Sequence, residues 1–142
     1  MDQRVSMVSL GVADVVRSRT FYESGLGWRA SLISSKALVV FRAGGLLVTL
    51  VPRGELAADL GVDDHGRTED FTGLALNHAV GSREDAILIL ARAEAAGGIV
   101  TQRTIETSWG GYAGAFSDPD GHAWEVAWNP DWFDEKGRVL IA

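Results

Sequence analysis

Hydrophobic and polar residues alternate along Val5–Val12 (VSMVSLGV). Val8, Leu10 and Val12 share one side and Met7, Ser9 and Gly11 the other, the period-two pattern of a strand with one buried face. Asp14 then offers a helix N-cap. Val15, Ser18, Tyr22 and Leu26 recur near helical spacing, and Gly25 and Gly27 stop the run. Trp28–Ile33, Ala37–Arg42 and Leu46–Val51 read as three strands, separated by Ser34-Ser35-Lys36 and Ala43-Gly44-Gly45. Arg53–Leu60 is expected to be a short helix, and GVDDHGRTEDF after it a solvated linker.

The pattern then starts again. Thr72–Val80 is a strand with Ala75, Asn77 and Ala79 on one face and Leu74, Leu76, His78 and Val80 on the other. Ser82, with Asp85 three residues on, opens a second helix as a near capping box, and Gly97-Gly98 ends it. Ile99–Ile105, Tyr112–Ser117 and Ala123–Trp128 follow as strands. In Ser117-Asp118-Pro119-Asp120-Gly121, proline suits the first corner of a type I turn and glycine releases the chain. Both halves therefore read β-α-β-β-β, the mark of an internal duplication. The expected fold is α+β. Module one covers about residues 5–52, a linker about 53–71, module two about 72–128, and a tail 129–142 with Trp132 and Phe133 folds back on the surface or a neighbour.

Parity carries this reading towards function. Even-numbered strand residues are mostly large and apolar (Val8, Leu10, Val12, Val48, Leu50, Leu76, Val80, Val126), as needed under helices. Odd-numbered ones are small or polar: Ser9, Gly11, Thr49, Ala75, Asn77, Ala79, Ala123, Glu125 and Ala127. Two modules that curve these odd faces inwards would enclose a cleft lined by short side chains, with room for a ligand.

Bulk properties narrow the partners. The 142 residues carry a formal net charge of −6 and no Lys/Arg cluster, which argues against nucleic acid and anionic membranes. Cysteine is absent, excluding disulfides, thiol catalysis and zinc–thiolate sites and fitting a cytoplasmic protein. MDQRVSMVSL has no basic region followed by a long apolar run, so no signal peptide is expected.

Val8–Trp28 (VSLGVADVVRSRTFYESGLGW) and Phe116–Pro130 (FSDPDGHAWEVAWNP), with the duplicated order, make the chain resemble the vicinal-oxygen-chelate superfamily. That superfamily includes glyoxalase I, bleomycin-resistance proteins, fosfomycin-resistance transferases and extradiol dioxygenases. The resemblance implies two modules forming a cleft, commonly in a homodimer. It also implies one divalent metal held by four side chains, at positions that here carry Met7, Thr49, Ala75 and Glu125. Only Glu125 is a usual ligand type.

No cofactor is therefore expected, with a divalent metal as the alternative. Glu125 is the candidate general acid or base, since a carboxylate in a dry pocket is pushed up by desolvation. Its plainer reading is a former ligand position, now hydrogen-bonded. Ser9, Thr49 and Asn77 are candidates for orienting a ligand, and Trp109 and Tyr112, in a glycine-flanked bend, for stacking on it. The plainer readings are a hydrated cavity and local packing or a dimer contact. His78 and His122 have even parity and read as structural, and His65 sits in a polar linker. The favoured function is metal-free binding of a small, partly aromatic or amphiphilic molecule. The alternative is a lyase, isomerase or dioxygenase resembling glyoxalase I. A third reading makes the cleft vestigial and the dimer structural.

Overall fold

The computed structural model describes residues 1–66 and 70–141. Arg67, Thr68 and Glu69 of the expected linker, and Ala142 of the tail, lie outside the described residues. The fold is α+β, two β-α-β-β-β-like modules built on mixed sheets, and the chain divides into two compact units, Met1–Arg67 and Thr68–Ala142.

In the first unit, β1 (Met7–Val12) leads to α1 (Val15–Thr20), which widens into a π-helical turn at Phe21–Gly25. The Asp14 carboxylate accepts from the backbone N–H groups of Val16 (2.9 Å) and Arg17 (3.0 Å), satisfying donors that a helix start leaves free. β2 (Val39–Ala43), β3 (Leu46–Pro52) and α2 (Arg53–Leu60) follow. The sheet order is β1-β3-β2, with β1 parallel and β2 antiparallel to β3. Register brings Leu10 beside Leu50, Val39 beside Leu50 and Phe41 beside Val48, making one apolar face. Phe21 and Tyr22 belong to the same core. Tyr22 meets Phe21 edge-on at 5.1 Å and lies 5.2 Å from Trp28 and 5.8 Å from Phe41, spacings at which aromatic rings attract beyond their burial.

The expected strand at Trp28–Ile33 does not form as such. Only Ala30 makes a β-bridge, to Phe41. Nearby side chains take the backbone partners a further strand would need. The Ser34 hydroxyl accepts from Val40 N (3.0 Å) and Ser35 Oγ accepts from Leu38 N (3.1 Å), while Glu23 Oε1 accepts from Ala30 N (3.0 Å). Serine competing locally with a ladder is enough to stop it, and Leu32 and Ile33 are left exposed.

The second unit runs β4 (Ala75–Val80), α3 (Arg83–Ala95), β5 (Ile99–Glu106), β6 (Tyr112–Ser117) and β7 (Ala123–Trp128). Its sheet order is β4-β7-β6-β5, with β4 parallel to β7 and the other pairs antiparallel. The β4∥β7 pair repeats the β1∥β3 pair of the first unit. Ser82 Oγ accepts from Asp85 N (3.1 Å) and donates to its carboxylate (2.7 Å), starting α3 as the spacing suggests. Ala86, Leu90 and Ala93 form the buried stripe of α3. Leu90 presses on Gly114 of β6, where a Cβ would lie 2.5 Å from its Cδ1. Phe116 stacks on Trp124, its register partner, with ring centroids 6.1 Å apart. After β7 the chain turns back on its own unit. Phe133 bridges Val139, the Glu135 carbonyl sits against Gly81, and Gly137 sits against the Ala79 carbonyl.

Candidate functional site

In the first unit, the face opposite the aromatic core carries Met7 beside Leu47, Ser9 beside Thr49 and Gly11 beside Val51. Thr49 is buried, and its Oγ1 donates to Ser9 Oγ at 3.1 Å. α2 closes one end of this face. A Cβ on Gly11 would lie 3.3 Å from Arg53 Cα and Cγ and from Leu56 Cδ2, so glycine lets the helix approach β1. Arg53 Nε also donates to Asp64 Oδ1 (2.7 Å), which accepts from Gly66 N (2.9 Å) as well. The Gly66 N–H and then the Arg53 guanidinium hold the Asp64 carboxyl below its ordinary range. His65 thus belongs to a loop tethered through its neighbour.

The second unit supplies the most distinctive chemistry. Glu125 lies on β7 between Asn77 of β4 and Ala115 of β6. Ala75 pairs with Ala123, Ala79 and Ala113 with Ala127, and Ser117 with Ala123. These residues share one face, because side chains alternate along each strand. On its far side Gln102 stands beside Ala115 after one register shift in β5, and Ile105 beside Ala113 after a second. Asn77 Nδ2 donates to Glu125 Oε2. Among the described residues no Lys, Arg or His forms an ion pair with this carboxylate, which is half-buried. Parity within single strands identified Asn77 and Glu125 but missed Ala113, Ala115 and Gln102. Their alternation with Tyr112, Gly114 and Phe116 was visible, but their place beside Glu125 comes from strand pairing.

The two aromatic candidates separate. Tyr112 pairs with Trp128, so it faces the α3 side of the sheet, away from Glu125. There the Arg83 guanidinium lies 5.3 Å from the Tyr112 ring and 5.1 Å from the Trp128 ring, and it also pairs with Glu106. Trp109 remains 47% exposed, in a bend closed by Thr107 N to Gly111 O (2.9 Å) and Gly111 N to Thr107 Oγ1 (2.9 Å). Its ring folds over Gly111, where any Cβ would overlap it. Both strand-associated histidines keep away from Glu125. His78 pairs with Val126, and desolvation lowers its pKa. His122 takes part in the β6–β7 turn through its backbone, donating to Asp118 Oδ1 and accepting from Asp118 N.

The four positions where the resemblance places metal ligands do not suit a transition metal. Met7 offers an exposed thioether, Thr49 a hydroxyl already bonded to Ser9, and Ala75 a methyl. Glu125 alone is a carboxylate, and such ions need several imidazole or carboxylate donors. Among the described residues no three His, Cys, Asp or Glu side chains are grouped to hold a metal ion. Among them, too, no helix is long and apolar enough to cross a membrane.

The fold is shared with proteins of known structure. A glyoxalase-related enzyme from Fulvimarina pelagi is 30% identical over 99% of both chains and superposes with a TM-score of 0.87. A glyoxalase/bleomycin resistance protein/dioxygenase family enzyme from Burkholderia phytofirmans PsJN shares the fold at 20% identity and a TM-score of 0.76, over 87% of this chain and 96% of that one. Lactoylglutathione lyase from Agrobacterium tumefaciens shares it at 21% identity and 0.68, over 93% and 98%. No curated protein matches the chain. The model of the Glyoxalase/Bleomycin resistance protein/Dioxygenase superfamily matches residues 4–126. With that match spanning most of its length, the chain belongs to this superfamily.

Proposed function

We propose that this protein binds a small organic molecule on the Glu125 face without the help of a metal. The observation that carries the reading is the Asn77–Glu125 pair, set on β4 and β7 among alanines that leave the sheet surface uncovered by side-chain bulk. A polar pair on an apolar floor orients a ligand whose body the floor accommodates. The donor chemistry supports the metal-free part, because Met7, Thr49 and Ala75 leave Glu125 without partner ligands. On its own sheet the first unit carries the Ser9 and Thr49 hydroxyls, bonded to each other, and in the second unit Trp109 presents an exposed ring for stacking. Tyr112, turned to the α3 side beneath Arg83, is left out of the proposed contacts. The same reading includes a homodimer in the cytoplasm, a setting that suits a chain without cysteine.

The test is the metal content of protein purified without chelators, followed by thermal-shift titration with Mn²⁺, Ni²⁺, Zn²⁺ and Fe²⁺ under anaerobic conditions. A specific ligand raises the melting temperature by mass action. The expected outcome is no stoichiometric metal and no specific shift. About one equivalent of metal, lost in Glu125→Ala, would replace this reading with metal-dependent lyase or dioxygenase chemistry. Turnover without metal that disappears in Glu125→Gln would make Glu125 a general acid or base.

A further inference from the structure

We infer that the ligand of the Glu125 face is a protonated amine, held as an ammonium by Glu125 and Asn77. The inference rests on the binding reading above and adds the ligand's charge. It is drawn from a count of donors and acceptors. The two oxygens of a glutamate carboxylate offer only acceptor sites. One oxygen takes the Asn77 Nδ2–H. Glu125 Oε1 and the Asn77 carbonyl Oδ1 have no hydrogen-bond donor among the described residues.

The charge is equally unmatched. Helix α3 carries two cations, Arg83 and Arg92, and packs through Leu90 on the other side of the sheet, where Arg83 is committed to Glu106 and to the rings of Tyr112 and Trp128. Alanines and a serine occupy the β7 and β6 positions around the carboxylate, and none supplies a positive charge. Gln102 beside Ala115 is uncharged, and its amide donates to the Arg103 carbonyl at 3.1 Å.

An alkylammonium group fits this pattern. It carries three N–H donors and one positive charge, against two acceptors without donors and one negative charge. A carboxylate or phosphate ligand would bring acceptors to acceptors and repel Glu125. A neutral alcohol would satisfy one acceptor without neutralising the charge. Charge-assisted bonds are the stronger kind, so the amine should be selected over isosteres that lack the charge.

The experiment uses three probes with one aromatic body: 2-naphthylmethylamine, 2-naphthylmethanol and 2-naphthoate. Each is titrated into the full chain by calorimetry at neutral pH, and its site is mapped from amide shifts in two-dimensional NMR. The ammonium is expected to bind at least about tenfold more tightly than either other probe, with shifts at Asn77, Ala115 and Glu125. In Glu125→Gln, whose fold is checked by circular dichroism, that preference should collapse to within about twofold, because the amide keeps the shape and removes the charge. In Asn77→Ala the ammonium should weaken while remaining the preferred probe. Equal binding of all three at these residues, or tighter binding of the naphthoate, would overturn the amine assignment and leave the binding reading standing. Absence of any shift at these residues with all three probes would overturn both.

Discussion

Asp118 is the residue whose replacement most directly tests how the β6–β7 turn is held. It is 2% exposed, and its Oδ1 accepts from two backbone donors, Asp120 N at 3.0 Å and His122 N at 2.9 Å. Its own backbone closes the turn, with Asp118 N donating to His122 O and Gly121 N donating to Asp118 O, both at 3.0 Å. Gly121 leaves the turn at φ 86°, a conformation that costs a glycine little. Asp118→Ala removes the acceptor of two N–H groups and leaves a small void. Each hydrogen bond to a charged group contributes roughly 1.5–3 kcal/mol net, and an orphaned buried donor costs about 1–3 kcal/mol. Water can reach the half-buried His122 more easily than the buried Asp120, so the sum is discounted to about 2–4 kcal/mol. Asp118→Asn keeps an oxygen at the same place and should lose less than half of that. Urea unfolding at pH 7, followed by tryptophan fluorescence, reads both variants, since Trp124 and Trp128 lie on the strand after the turn. A loss below about 1 kcal/mol for Asp118→Ala, or equal losses for Ala and Asn, would refute the claim that the side-chain acceptor holds the turn.

Two further outcomes follow from local geometry. Gly81→Ala should undock the tail, because the new Cβ would lie 2.3 Å from the Glu135 carbonyl oxygen and the obstacle is backbone. A loss of about 1–3 kcal/mol is expected, with faster proteolysis between residues 129 and 141, and an unchanged digestion pattern would contradict it. Acidification should weaken the first unit through Glu23, whose carboxyl is held below its ordinary range by the Arg19 guanidinium and the Ala30 N–H. The unfolded chain then takes up the proton first. The contribution is complete above the unfolded pKa and is lost as pH falls through the lowered folded value. Between about pH 5 and pH 3 the unfolding midpoint of Glu23→Gln should therefore fall less steeply than that of the natural chain, and parallel slopes would contradict the assignment.

Much of this architecture was legible in the chain because its causes are local. Asp14 and Ser82 precede helices and cap them through their own side chains, and the Asp118–Gly121 turn is closed by residues within a few positions of one another. Alternation in Ala123–Trp128 was enough to place Glu125 and Trp124 on opposite sides of one strand. The same alternation could not say which strands stand together. That Asn77 reaches Glu125, that Ala113 and Ala115 complete its surroundings, and that Tyr112 turns to the other side with Trp128 all depend on pairing in the order β4-β7-β6-β5.

The segment Trp28–Ile33 shows the limit from the other direction. Its composition suits a strand, yet only Ala30 pairs, because Ser34, Ser35 and Glu23 satisfy backbone groups from outside any ladder. Trp132 and Phe133 suggested a tail that folds back, but where it docks had no local sign, since that depends on Gly81 and Gly137 meeting carbonyls of residues remote in sequence. By itself the sequence determined caps, turns and the two faces of each strand, which arise from contacts within a few residues. Tertiary structure alone decided which faces meet, because that depends on hydrogen bonds and packing between segments that nothing in their local pattern assigns to each other.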